Sequence, residues 1–369
     1  MRKILAMLLA IVMVFALVAC GSSDTPATQA PSSNAPSSDA PSSDAPAGPS
    51  YDNVKLMFST TFNEMETSGQ AIVYFTNYIT EKSGGAITFD IKWGGTLAGT
   101  GEELSFLQAG AFDMSVLGQS QYSDVFALLN FPGQTSGSQQ KCVDYFNHIV
   151  YENPETSALI NAQVEAQGVK MLGFMANGGN AFCLKKDVTA ISDMAGLKLG
   201  VAMNQAAFEA LGFSIYNMVP WDGYEALSKG MADASFMAIG PMIMLSWHEV
   251  APYFVNANEY TAGNYFTISL DKWNSFNADT QALFEEAMDA TTAYSIQLAE
   301  EQMAGVEAAL AAAGGKMSAL SEEDTARMFE LLWNLAVGDA RALAQNGNCT
   351  AEMETVLKAC ADYLDLPLN

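Results

Sequence analysis

The sequence predicts an α/β protein of two lobes with one long helix lying across both. Three observations predict it. Short apolar strands alternate with segments of helical periodicity, the order that gives parallel sheets covered by helices. The stretch Gly168 to Val201 reads as strand, turn, strand, loop and strand, where the backbone crosses between lobes and starts a second sheet. Asn277 to Ala313 keeps a helical pattern, enough for a rod of about 50 Å. Ligands of such proteins collect where strand ends and loops meet at a cleft. An ordinary strand-turn-strand inside one domain is the alternative reading of Gly168 to Val201.

Residues 1–19 read as an export signal: Arg2 and Lys3 lead an apolar run, Ile4 to Ala19, too short for a good membrane span. Leu17-Val18-Ala19-Cys20-Gly21 resembles a bacterial lipobox, which implies cleavage before Cys20 and a lipid on that cysteine. Residues 20–50 are then a lipidated Cys20 and a linker. The linker is built around APSSDAPSSDAP, has no aromatic residue, and is expected to be disordered. A tether of about thirty residues lets a folded body move tens of ångströms from a membrane.

The chain has 41 acidic and 16 basic residues. That balance excludes nucleic acid as a partner, and anionic lipid held by a basic patch. The arginines are Arg2, Arg327 and Arg341, with none between Tyr51 and Asp324. A carboxylate held in the main body would therefore meet lysine, backbone N–H or neutral donors, without a guanidinium fork. Beyond Cys20 the cysteines are Cys142, Cys183, Cys349 and Cys360. Either all four are small buried apolar groups, or Cys349 and Cys360 pair. No CxxC spacing occurs, so no metal or other cofactor is expected. His148 and His248 read as structural.

In order, Val54 to Ser59 is a strand, followed by the polar loop Thr60 to Glu64. Gln70 to Lys82 is a helix stopped by Ser83-Gly84-Gly85. Ile87 to Trp93 is a strand. Gly94 to Gly101 lacks the GK[ST] of a P-loop and reads as a structural turn bordering the cleft. Helix Glu103 to Gly110 and strand Phe112 to Val116 lead to Gln119, Ser120 and Tyr122, neutral donors for a cleft. Lys141 to Tyr151 and Glu155 to Gln167 are helices. After Val201 come helix Met203 to Leu211, strand Ser214 to Tyr216, helix Gly223 to Lys229, strand Ala234 to Ala238 and a helix from Gly240-Pro241. Phe266 to Leu270 is a strand of alternating type. Ser321-Glu322-Glu323-Asp324 is a capping box for a last helical region.

These residues resemble the DctP-type solute-binding proteins of tripartite ATP-independent periplasmic (TRAP) transporters, from Val54 to about Leu335. Carrying the resemblance are Ser83 to Ile87, Gly95 to Leu97, Glu103 and Leu104, Gly110 to Met114, Gly168 to Phe174, Ile191 to Leu199, Tyr224 to Leu227, Asp233 and the long helix. It implies a periplasmic-binding-protein-like, type II-like fold. Lobe I would be 51–177 and 266–305, lobe II 178–265, with 306–369 a C-terminal helical region packed on the lobes. It also implies a hinged cleft and delivery of a small organic solute to small and large TRAP membrane subunits, while the lipobox implies that lipid at Cys20 holds the protein to the membrane.

The departures from the family pattern remove charge. Where most members carry a ligand-clamping arginine this chain has Gly200; a second family arginine falls at Asn180, and the family's cleft asparagine falls at Met237. A simple dicarboxylate would lose its charge-assisted donors. A neutral, aromatic or cationic solute suits the remaining groups better. The expected ligand-binding residues are Thr61, Phe62, Tyr122, Asn180, Phe182, Gly200, Asn204, Trp221, Phe236, Met237 and Asn264. Core packing is the other reading of Trp221 and Phe236, and Lys185 and Lys186 are expected at the surface. No nucleophile elbow or paired-base motif appears, so the chain reads as a binding protein and not an enzyme. The alternatives are a ligand sensor subunit, or a lipid-anchored enzyme using a cleft carboxylate.

Overall fold

A computed structural model describes residues 48–368. The expected signal peptide, the lipidated Cys20 and nearly all of the linker lie outside the described residues. The folded body opens with β1 (Val54–Ser59) and α1 (Thr67–Lys82), whose Ala71, Ile72, Phe75 and Ile79 form a buried stripe. α1 starts three residues before the expected Gln70 and ends where Gly84 and Gly85 take positive φ. β2 (Ile87–Lys92), α2 (Glu103–Gln108), β3 (Met114–Gly118) and β4 (Gln134–Ser136) follow. Ser138 caps α3 (Gln139–Asn147), and Asn153 with Pro154 behind it caps α4 (Pro154–Glu165).

β5 (Val169–Leu184) is followed by α5 (Ile191–Met194), β6 (Lys198–Val201), α6 (Gln205–Ala210), β7 (Ser214–Asn217), α7 (Gly223–Lys229), β8 (Ala234–Ala238) and α8 (Ile239–Met244). β9 (Tyr253–Ser269), α9 (Leu270–Ser275), α10 (Ala278–Ala312), β10 (Lys316–Ala319), α11 (Glu322–Asn346) and α12 (Thr350–Leu364) complete the chain. The expected capping box appears at α11: Ser321 accepts from Asp324 N–H. The Asp324 carboxylate accepts from Ile191 N–H, tying α11 to α5.

The described strands form one sheet in the order β2-β1-β3-β9-β5-β8-β6-β7, with β4 and β10 each paired to β9. The expected parallel pairing holds among β1, β2 and β3 and among β6, β7 and β8. It does not hold in the middle, where β5 and β9 run antiparallel. Residues 169–175 of β5 pair with 264–269 of β9, and 181–184 pair with 253–256. The two long strands therefore belong to both half-sheets, and the crossing lies between.

Two sequence expectations change here. The turn at Asn177-Gly178-Gly179 does not break the strand; the ladder absorbs it as register shifts between Ala176 and Gly179 and between Asn180 and Ala181. The strand expected from Phe266 begins at Tyr253. The lobe boundaries expected at 177/178 and 265/266 thus fall inside β5 and β9.

Alternation along these strands sends neighbouring side chains to opposite faces, so each half-sheet is covered twice. In the first half, Phe266 joins Phe58, Phe75 and Phe284 on one face, while Phe174 joins Phe146, Trp333 and Cys360 on the other. In the second, Phe182 joins Phe208 and Leu199, while Cys183 joins Trp247, Met242 and Phe254. Cys142, Cys183, Cys349 and Cys360 are all buried and unpaired, so Cys349 and Cys360 form no disulfide.

α10 is the long helix expected from the sequence. It puts Leu283 and Phe284 into a first-half core and Val306 and Leu310 into a second-half core. Between them it is fastened to β5. Thr292 Oγ1 donates to Phe174 O at 3.0 Å, and Ser295 Oγ accepts from Ala176 N–H at 3.1 Å. α11 also contributes to both halves, through Met328 and Leu332 in one core and Trp333 and Val337 in another.

Candidate functional site: the cleft at the strand crossing

A cavity of about 690 Å³ opens at the C-terminal ends of β3, β6 and β8, against the crossing of β5 and β9. Strand ends are where α/β folds leave backbone and loops unpacked, and this volume suits a small organic molecule. β5 and β9 supply Asn177, Asn180, Glu259 and Asn264; β8 supplies Ser235, Phe236 and Met237; the end of β6 supplies Gly200 to Asn204. The segment Asn130 to Gln134, the α11 residues Ala336, Asp339 and Leu343, and Gln119, Phe208, Met218 and Trp247 are also in the wall.

Of the eleven expected residues, Asn180, Gly200, Asn204, Phe236, Met237 and Asn264 line this cavity. Asn264 Nδ2 donates to Asn177 Oδ1 at 3.2 Å, across the two long strands. Asn204 stands at the start of α6 with φ of 57°, a left-handed position that asparagine tolerates. Gly200 leaves no room beside it. A Cβ there would come within 2.8 Å of Met218 Sδ, so a thioether occupies the space next to the strand.

The other five lie off the cavity, each for a physical reason. Tyr122 is buried, and its hydroxyl donates to Glu103 Oε2 at 2.5 Å while accepting from Leu104 N–H. Burial first, and then the Glu103 bond, hold its phenol far above the ordinary range. Phe182 is wholly buried among Phe208, Phe213 and Phe236, its ring stacked on Phe213 at 5.5 Å. Trp221 is 77% exposed in the short turn Pro220–Asp222. Thr61 and Phe62 pack against the glycine-rich loop, where Phe62 O accepts from Gly94 N–H. That loop does not border the cavity: Glu102 and Glu103 reach back to accept from Gly99 and Gly101 N–H, which makes it a closed structural turn. Neither histidine nor Lys185 or Lys186 lines the cavity; Lys186 is exposed, while Lys185, expected at the surface, is half-buried. Arg341 is engaged by the Glu354 carboxylate.

Glu259 was not among the expected residues. It is 3% exposed, yet it lines the cavity, and Asn180 Nδ2 donates to its Oε2. Burial pushes its carboxyl up to about 7, with the Asn180 amide pulling the other way. No lysine, arginine or histidine lines the cavity among the described residues. The wall thus mixes apolar, aromatic and neutral polar groups and, where charged, is acidic.

The model for bacterial extracellular solute-binding proteins, family 7 (DctP), matches residues 58–336. The chain belongs to this family. A relative by sequence is a solute-binding protein of Sulfitobacter sp. strain NAS-14.1, 22% identical over 281 residues, spanning 74% of this chain and 83% of the relative. Among solved structures, an apo, open TRAP periplasmic solute-binding protein from Rhodobacter sphaeroides superposes with a TM-score of 0.69. It is 19% identical, and the match covers 85% of this chain and 98% of that one. A TRAP periplasmic solute-binding protein from Rhodoferax ferrireducens, with bound malonate, gives 0.65 at 18% identity over 84% and 99%. These structures share the two-lobed periplasmic-binding-protein-like fold seen here. Among the described residues no helix is long and apolar enough to cross a membrane.

Proposed function

We propose that this family 7 protein is the extracytoplasmic receptor of a TRAP transporter. It captures a small organic solute in the cleft at the β5–β9 crossing and passes it, unchanged, to the small and large membrane subunits. Lipid on Cys20 holds it to the membrane, and residues 20–50 are the tether. Lobe I (51–177 and 266–305) and lobe II (178–265) close on the solute, with β5, β9 and α10 connecting them.

The solute is not a simple dicarboxylate such as the malonate of the Rhodoferax protein. One observation carries this reading: the cavity wall offers no cationic side chain, and Met218 fills the space beside Gly200. A carboxylate there would lose its water without gaining a charge-assisted partner.

A thermal-shift screen across acids, amines, nucleosides and aromatic compounds tests the proposal. A ligand at a hundred times its dissociation constant adds about 2.7 kcal/mol of stability, a readily measured shift. Recovery of the ligand unchanged separates a receptor from an enzyme. If plain dicarboxylates alone raise the melting temperature, the reading of Gly200 fails.

A further inference from the structure

We propose that Glu259 is a cation subsite, and that the solute carries an ammonium group seated against its carboxylate. The inference rests on the receptor reading above and names the chemical class of its ligand.

The geometry supports it in three ways. Glu259 sits on β9 at the strand crossing, facing a cavity large enough for an organic molecule. Asn180 takes one carboxylate oxygen, Oε2, and no bond from a described residue reaches Oε1. Finally, nothing in the wall can neutralise the charge. The Cys142 thiol on α3, which feels the Glu259 charge, is pushed up to about 12 by burial, and the other ionisable residue of the cavity lining is the exposed Asp339 of α11, also a carboxylate. A carboxylate buried without a cation is costly and is relieved by a partner of opposite charge. Phe236 and Phe208 add aromatic surface to the wall, which suits the apolar or cationic part of an amine.

An ammonium ion stabilises the charged form of Glu259, so binding should tighten as pH rises through about 7, where burial holds the group in the empty cleft. A ligand carboxylate would require the protonated form as a donor, and its binding would tighten as pH falls. The sign of the pH dependence therefore separates the two.

The test uses two sets of shape-matched probes on the whole chain: cadaverine, pentanediol and glutarate; and tyramine, tyrosol and 4-hydroxyphenylacetate. Calorimetric titration at about pH 6 and pH 8 is expected to show one ammonium probe binding at least about tenfold tighter than its neutral and acidic counterparts, and tighter at the higher pH. Glu259→Gln is expected to abolish that preference. The pH series on the unaltered chain stands whether or not the variant folds. An acid or neutral probe that binds best overturns the cation subsite and leaves the receptor reading in place. An amine preference that survives Glu259→Gln does the same. If no probe binds, and the broader screen also finds nothing, both readings fall.

Discussion

Asn180 and Glu259 face each other directly across the β5–β9 ladder, and the Asn180 amide donates to the Glu259 carboxylate. The pair closes the ladder at the point where one half-sheet gives way to the other. It also brings together two residues 79 positions apart in sequence.

Glu259 should give the empty protein a distinctive pH dependence. Burial raises its carboxyl from 4.5 to about 7 on folding, so the folded chain binds more protons than the unfolded chain between those values. Its contribution is fully present below pH 4.5 and is lost as pH rises through about 7. The difference corresponds to roughly 3 kcal/mol. Urea unfolding at about pH 5 and pH 8 should show wild type losing about 2.5 kcal/mol more stability than Glu259→Gln, since part of the effect is already lost at pH 5. Parallel curves for the two proteins would refute the assignment.

A second prediction concerns the contact between α10 and β5. A Cβ at Gly173 would stand 2.3 Å from Met288 Cγ, close to the root of a side chain that cannot swing aside easily. Gly173→Ala should cost about 1–3 kcal/mol in chemical unfolding. Met288→Ala should remove most of that penalty in the double variant, giving a coupling energy well above 0.5 kcal/mol.

The space beside Gly200 behaves differently. There the atoms closer than 3.0 Å are Met218 Sδ and Cε, the far end of a flexible chain, with Ala232 Cβ at 3.3 Å. Gly200→Ala should therefore cost no more than about 1.5 kcal/mol, less than Gly173→Ala measured in parallel. An equal or greater loss would mean that the thioether is fixed in place.

Exposure separates two aromatic residues that look alike in sequence. Trp221, 77% exposed, should tolerate replacement by alanine within about 0.5 kcal/mol of stability. Phe236 packs at a tilt into the aromatic group around Phe182 and also lines the cavity, so Phe236→Ala should lose about 3 kcal/mol and weaken solute binding. Unfolding curves and titration of the two variants decide it.

Thiol chemistry offers an independent check of the core. Cys142, Cys183 and Cys360 are buried and held near 12 by that burial, so they carry almost no thiolate at neutral pH. Ellman's reagent should leave these three unlabelled in the folded protein. All of Cys142, Cys183, Cys349 and Cys360 should react after denaturation without any reductant.

The sequence was readable where periodicity and local signals agree. The helix read from Asn277 to Ala313 is observed as Ala278–Ala312, and the Ser321 cap is where its motif places it. It was not readable at β9, because Asn256, Asn258, Glu259 and Gly263 interrupt the apolar alternation and mimic a solvated loop. Asn258 takes a positive φ inside that strand, and the irregularity is tolerated because β4, β5 and β10 supply partners along it. Glu259 was missed for the same reason, and because its partner is remote in sequence. Tyr122 was misplaced because its position in a polar loop gave no sign that Glu103, nineteen residues earlier, would capture its hydroxyl. The part of α11 that faces the cavity carries only Ala336, Asp339 and Leu343, too ordinary a set to mark a wall.

α11 is rooted in two separate cores and also forms part of the cleft lining. Any swing of the two halves must bend this helix or peel one of its anchored faces away. On the receptor reading proposed above, this helix would work as a latch against opening of the cleft. Softening it at Met328 or Trp333 would alter the affinity for every guest by a common factor, without touching the groups that choose among them.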